Sequence, residues 1–140
     1  MAWLLVGLCA ASDADLGAIG VAGAILYGAA FTYFAHSTLV ALEQHVATYD
    51  ALWRQLGPAY TLHGAAMVVG GSMFAWAAWR TRAFPRPVVA LFALGLAVNL
   101  SLAVLPAPAI AQTLGTALRN AGLVGIGCAM LLGMRSRSGR

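Results

Sequence analysis

Long apolar runs divide this chain, and they limit it to folds that can place most of their surface against other apolar groups. The first run, residues 16–35, holds no charged side chain. A helix of roughly 20 residues extends about 30 Å, which matches the hydrocarbon core of a bilayer. Charged residues make up only 9% of the 140 residues, against about 25% in soluble domains. The sequence therefore predicts an all-α integral membrane protein, a bundle of four transmembrane helices.

The predicted crossings form one membrane domain over the whole chain, residues 1–140. They follow the apolar runs at about residues 16–35, 58–79, 88–105 and 114–134. Arginines cluster at residues 80–86 and 135–140, which lie on the same side after four crossings. Because cytoplasmic loops carry an excess of Arg and Lys, both termini are predicted to be cytoplasmic, in the inner (plasma) membrane of the cell. Since the arginines flank apolar runs, they mark topology, and no nucleic-acid partner is predicted.

Small residues that allow close helix contact occur on the first two crossings, at Gly20, Ala24, Gly28, Gly64, Gly70 and Gly71. Such ridges let another helix approach closely within a bilayer. Together with the lack of a catalytic signature, they favour a self-associating protein or an accessory subunit of a larger membrane complex. Two alternatives stay open. One is an oxygenase-like membrane enzyme that acts on an aromatic or quinone-like substrate in an outer cleft, and the other is a small transporter or channel subunit.

The connection between the first two crossings carries most of the polar chemistry. Its apolar residues follow the spacing of an amphipathic helix, at Leu39, Leu42, Val46, Tyr49, Trp53 and Leu56. Opposite them, His36, Glu43 and Asp50 recur every seven residues and would stack on one side of a continuous helix. Gly57 and Pro58 are predicted to end this extracytoplasmic helix and to begin the second crossing.

Polar side chains from several segments are predicted to meet at the outer end of the bundle. The candidate catalytic residues are His36, His63, Glu43 and Arg119. The candidate substrate-binding residues are Trp53, Tyr60, Asn99 and Asn120. Aromatic walls with a few convergent polar groups are typical of pockets for small molecules, so a small aromatic ligand is the partner expected here besides lipid. The alternative is that the Tyr and Trp side chains form an interfacial belt.

Arg119 allows two interpretations. An ionisable side chain inside a membrane segment is a functional candidate because leaving it in lipid is costly, but a long arginine side chain also extends readily to the headgroups. Metal ligation is not predicted, since the sequence has no HxxxH, ExxH or HExxH spacing. No other cofactor is predicted either.

Three stretches resemble the small four-helix membrane proteins related to fungal and bacterial anthrone oxygenases. They are Tyr27-Gly-Ala-Ala-Phe31, Leu52-Trp53-Arg-Gln-Leu-Gly-Pro58-Ala-Tyr60 and Leu118-Arg119-Asn120. The chain departs from that pattern in having Pro106-Ala-Pro108 after the third crossing and no histidine before Arg119. The resemblance implies cofactor-free oxygenation of an electron-rich aromatic molecule, with a histidine as the base.

Overall fold

The computed structural model describes residues 4–11, 16–46, 48–104 and 109–138, and the regular elements within these ranges are all α-helices. In chain order they are α1 (Leu4–Ala11), α2 (Gly17–Glu43), α3 (Tyr49–Leu56), α4 (Pro58–Thr81), α5 (Arg86–Val104) and α6 (Ala109–Ser138). The predicted all-α fold is confirmed for these residues. Residues 106–108 and the last two arginine-cluster residues, 139–140, lie outside the described residues.

Within the described ranges, two helices are long and apolar enough, by length and composition, to cross a membrane. They are α2, with 27 residues, and the part of α6 from Thr113 to Leu132, with 20 residues. A third apolar stretch, Arg86–Ser101 in α5, is shorter. The four predicted crossings overlap α2, α4, α5 and α6, although α2 begins one residue after the first predicted crossing and residue 105 lies outside the described residues. Helix α1 packs against α2, and its Leu5 and Leu8 side chains are buried in the same core as the longer helices.

The long helices associate as two pairs. Helix α2 packs along α4, α5 packs along α6, and α4 contacts α5 to join the pairs. Aromatic rings fill the interior at this junction. The Phe92 ring of α5 meets the Tyr27 ring of α2 edge-on at 5.6 Å and the Phe74 ring of α4 at 6.1 Å. Edge-to-face geometry is favourable for aromatic pairs, so these contacts fix the arrangement of the two pairs.

Close backbone contact holds α2 against α4. A Cβ atom added at Gly70 would lie 2.6 Å from the Tyr27 nitrogen and 2.8 Å from the Gly23 carbonyl oxygen. Gly20 of the predicted ridge meets the Ala77 side chain of α4 in the same way, at 3.0 Å. The small-residue ridge of α2 is therefore occupied within the chain. Gly64 has nothing among the described residues within 4 Å of an added Cβ atom, so it does not serve as a packing site within the chain.

The second pair uses glycines from both of its helices. A Cβ atom at Gly95 of α5 would collide with the backbone of Arg119, and one at Gly122 of α6 would lie 2.6 Å from the Phe92 Cα atom. Close approach of this kind is how helices associate when small residues line the contact. It places the backbone of Arg119 directly against α5.

The predicted continuous helix between the first two crossings is wrong, because α2 ends at Glu43. The His45 N–H donates to the Leu42 carbonyl at 3.4 Å and the Val46 N–H donates to the Ala41 carbonyl at 2.9 Å. His45 is left-handed, with φ of 52°. These are the two hydrogen bonds of a Schellman motif, which terminates a helix.

A new helix, α3, begins after the break. Thr48 caps it, since its Oγ1 atom accepts from the Ala51 N–H at 3.3 Å. Asp50 lies in this separate helix, so its predicted alignment with His36 and Glu43 fails. At the other end, Gly57 has φ of 58° and Pro58 is the first residue of α4, as predicted. The connection is helical as expected, but in two pieces.

Candidate functional site

His63 lies in the first third of α4 and is surrounded by aromatic rings. Its side chain is 9% exposed. Its ring centroid lies 4.8 Å from that of Tyr60, 5.0 Å from Tyr33 and 6.3 Å from Phe34. Tyr60 shares a face with His63 because it lies three residues earlier on α4, whereas Tyr33 and Phe34 come from α2. We call these four residues the His63 cluster.

The His63 ring is held by packing more than by hydrogen bonds. Its Nδ1 atom is buried without a hydrogen bond of ordinary geometry, although backbone groups of Ala59 and Tyr60 lie near it. Aromatic contacts at these centroid separations are favourable. The imidazole is therefore positioned by the rings, and its Nδ1 atom has no hydrogen-bond partner among the described residues.

Arg119 points into the helix bundle. Its side chain is 4% exposed. The Nη1 atom donates to the Met67 sulfur at 3.2 Å, and Cζ lies 6.0 Å from the centre of the Phe31 ring. Its Nε atom is buried and has no hydrogen-bond partner. No carboxylate pairs with Arg119 in the part of the chain that the structure describes.

Arg119 contacts the side of α4 on which His63 lies, one helical turn further along. Met67, which contacts Arg119, follows His63 by four residues, or about 6 Å along the helix. On α2 the Tyr27 ring stacks on Phe31 at 6.2 Å, and its hydroxyl is buried and unpaired. The Tyr27 and Arg119 side chains thus both contact the Phe31 ring. We call Tyr27, Phe31, Met67 and Arg119 the Arg119 cluster.

The remaining predicted binding residues contribute more to packing. Asn99 of α5 donates to the Thr116 hydroxyl of α6 at 3.5 Å, which ties the second helix pair together. Trp53 of α3 is 52% exposed, and its indole N–H donates to the Thr61 hydroxyl of α4 at 2.9 Å. Asn120 is half-buried and its Oδ1 atom has no partner. Of the predicted binding residues, Tyr60 is the one in ring contact with His63.

Two of the predicted catalytic residues lie outside the buried clusters. His36 and Glu43 are both exposed on α2. The His36 ring stands 6.1 Å from Tyr33, at the edge of the His63 cluster, whereas Glu43 is the last residue of α2. The structure thus brings His63 and Arg119 toward each other and leaves His36 and Glu43 at the periphery.

Tyr27, Phe31 and Met67 were not predicted as site residues. In the sequence they look like ordinary residues of apolar helices, and the one signal for Met67 is its spacing of four residues from His63. Among the described residues, no group of three or more His, Cys, Asp and Glu side chains is placed to hold a metal ion.

Comparison with known proteins identifies no relative of this chain. No protein-family model matches the chain, and neither the curated proteins nor the solved structures provide a match. The site is therefore interpreted from its own chemistry.

Proposed function

We propose that this chain is a multi-pass membrane protein that binds a small planar aromatic molecule at the His63 cluster and oxygenates it. The observation that carries this proposal is a buried histidine in contact with the rings of Tyr33, Phe34 and Tyr60. Aromatic side chains offer flat, apolar surfaces on which a planar ligand stacks. A histidine among them supplies the general base that abstracts a proton from such a ligand.

The resemblance to the anthrone oxygenases supports the reaction class. A cofactor-free oxygenation needs a base next to an electron-rich ring, with molecular oxygen as the oxidant. His63 is the histidine that the fold places among aromatic side chains, whereas His36 and His45 are exposed. We therefore assign the role of base to His63.

Packing supports four crossings. If α2 and α6 cross a bilayer, α4 and α5 must cross it as well, because α4 packs along α2 and α5 packs along α6. Large apolar side chains point outward from all four helices, for example Ile25, Val69, Leu94 and Val124, each at least 47% exposed. A surface of this kind is suited to lipid and unusual for a soluble monomer.

The turn between α4 and α5 supports an orientation with both termini in the cytoplasm. Arg80 lies over the Trp76 ring at 5.3 Å, and Arg86 lies over the Trp79 ring at 5.4 Å. Arginine and tryptophan are both favoured where a helix meets the headgroups, and an excess of arginine marks the cytoplasmic side. The His63 cluster, near the other end of α4, then belongs to the outer leaflet.

The glycine ridge of α2 gives less support to self-association than the sequence indicated. Gly20 faces Ala77, and Gly23 faces Gly70, both on α4 of the same chain. A substitution at this ridge would disturb the fold before it disturbed an interface between subunits. Association with another copy or a larger complex stays a prediction.

Binding to the purified protein tests the proposed function. We would reconstitute the chain in phosphatidylcholine nanodiscs, titrate it with 1,8-dihydroxyanthrone and follow tryptophan quenching and oxygen uptake. His63→Gln should abolish oxygen uptake and weaken binding. The matched control is His45→Asn, because His45 is exposed and its left-handed backbone conformation is one that Asn tolerates. The control should behave as the parent protein does.

Two results would refute the proposal. One is the absence of binding by the folded parent protein. The other is an equal effect of the two histidine substitutions, which would separate the activity from the buried ring. Binding that depends on His63 without any oxygen uptake would keep the ligand site and remove the oxygenase assignment.

Thiol labelling tests the orientation. In a variant that lacks Cys9 and Cys128, single cysteines would replace Gln55 in α3 or Thr81 at the end of α4, both of which are exposed. An impermeant maleimide applied to intact cells should label the Gln55 position and spare the Thr81 position. The opposite pattern would invert the proposed topology, and labelling of both would contradict the odd number of crossings between them.

A further inference from the structure

The Arg119 cluster contains a buried positive charge without a buried negative one. The Arg119 side chain is 4% exposed, and within the described ranges its contacts are the Met67 sulfur and the Phe31 ring. A thioether is a weak acceptor, and 6.0 Å is at the outer limit for a cation over a ring. Neither partner offsets the loss of hydration of a guanidinium. An anion is the partner that this site lacks.

The Arg119 cluster also contains buried polar atoms that have no hydrogen-bond partner among the described residues. The Arg119 Nε–H and the Tyr27 hydroxyl are both buried without a hydrogen-bond acceptor. Each is a donor, and the Tyr27 and Arg119 side chains both contact the Phe31 ring. A carboxylate accepts several hydrogen bonds and pairs well with a guanidinium. The chemistry of the unpaired atoms therefore matches a carboxylate.

The position of Arg119 relative to His63 indicates the chemistry of the rest of the ligand. Met67 lies one helical turn, about 6 Å, below His63 on the same side of α4. Consider a molecule whose acidic group binds Arg119. If the rest of the molecule extends toward the outer leaflet by one turn of α4, it lies against Tyr33, Tyr60 and His63. These rings favour a planar aromatic body.

We infer that the ligand of this protein is an aromatic carboxylate, with its acidic group bound by Arg119 and Tyr27 and its ring held in the His63 cluster. The inference rests on the proposed function and specifies the substrate class. It assigns to Arg119 the binding of the acid, separate from the chemistry at His63.

The test compares 2-naphthoate with its neutral counterpart 2-naphthamide, using ligand fluorescence on the protein in phosphatidylcholine nanodiscs. The parent protein should bind naphthoate about tenfold or more tightly than naphthamide, since a hydrogen bond to a charged group is worth that much. Arg119→Met, which keeps a long apolar side chain in place of the cation, should remove the preference. The matched control is Arg54→Met, because Arg54 is exposed on α3, and it should leave the preference unchanged.

A second variant covers the case in which Arg119→Met does not fold. Tyr27→Phe removes a hydroxyl that has no hydrogen-bond partner among the described residues, so the fold should tolerate it. The preference for naphthoate should fall by roughly threefold or more. An unchanged preference in Tyr27→Phe, or a preference retained in folded Arg119→Met, would overturn the inference.

The same titrations separate this inference from the proposed function. If both naphthalenes bind equally and His63→Gln weakens both, the aromatic site stands and the assignment of the acid to Arg119 is wrong. If neither binds, the proposed function fails with it. Myristate tests whether the carboxylate belongs to a lipid. If myristate competes efficiently with naphthoate, and naphthoate binding is insensitive to His63→Gln, the assignment of the ligand as an aromatic carboxylate is wrong.

Discussion

Two glycines of α4 allow the same substitution to be tested in opposite environments. Gly70 lies in the contact with α2, where an added Cβ would meet the Tyr27 nitrogen at 2.6 Å and the Gly23 oxygen at 2.8 Å. Gly64 lies in the same helix with nothing within 4 Å of the added atom. Alanine is the smallest side chain that makes this distinction, so each variant changes one methyl group.

The expected magnitudes follow from helix propensity and packing. Replacing a glycine by alanine inside a helix is favourable by about 1 kcal/mol, and Gly64→Ala should gain close to that amount. At Gly70 the clashing atoms belong to the backbone of α2, so the two helices must separate. Overpacking of this kind costs typically 1–3 kcal/mol, and after the gain in propensity Gly70→Ala should lose up to about 2 kcal/mol. The two variants should thus differ by up to about 3 kcal/mol in their free energies of unfolding.

Reversible unfolding in mixed micelles, with increasing dodecyl sulfate and circular dichroism as the signal, measures these free energies. A difference of about 3 kcal/mol is roughly a hundredfold in the unfolding equilibrium, which is easily resolved. If Gly70→Ala gains as much stability as Gly64→Ala, the close contact between α2 and α4 is wrong. If Gly64→Ala destabilises the protein, Gly64 is packed against something other than lipid.

Three further tests, two of them with a control substitution, use the same unfolding measurement. His45→Gly should stabilise the protein by about 0.5–1 kcal/mol, since glycine adopts the left-handed conformation without the penalty of a side chain. Glu43→Gly, at the last residue of α2, should instead destabilise it by up to about 1 kcal/mol. Equal effects of the two substitutions would contradict the helix end. Thr48→Ala should lower the free energy of unfolding by about 1 kcal/mol because it removes the cap of α3. A neutral result would mean that Thr48 does not cap this helix. Arg119→Met should stabilise the ligand-free protein by about 1–4 kcal/mol, as is common when a buried charge is replaced by an apolar side chain, with Arg54→Met nearly neutral; a loss of stability would mean that Arg119 already has a counter-charge.

The long helices could be predicted from the sequence because apolar runs and their interruptions fix helix limits directly. Pro58 begins α4 as expected, and the basic turn at residues 80–86 separates α4 from α5. The break after Glu43 was missed because the residue that ends the helix is His45, at a position where glycine is the usual signal. The sequence did contain the start of α3, since Thr48 is a favoured capping residue.

The candidate site residues could be selected from the sequence because the polar residues are few, but the directions of their side chains could not be predicted. In an apolar helix, hydropathy does not tell which face is buried. Leu62 is 72% exposed, whereas the adjacent His63 is 9% exposed, the reverse of what a soluble amphipathic helix shows. The packing of α2 against α4 and of α5 against α6 shows that His63 and Arg119 face inward and that His36 does not.

The arrangement of the helices explains why a ligand could bind where these residues lie. Backbone contacts at Gly23 and Gly70 tighten one helix pair, and contacts at Gly95 and Gly122 tighten the other. Between the pairs, Arg119 of α6 reaches across to Met67 of α4 through its side chain alone. A ligand that binds Arg119 and stacks beside His63 would add contacts at this boundary and neutralise the buried charge. Because a ligand that binds only the folded state stabilises it in proportion to the logarithm of its concentration, ligand binding and the association of the two pairs should strengthen together.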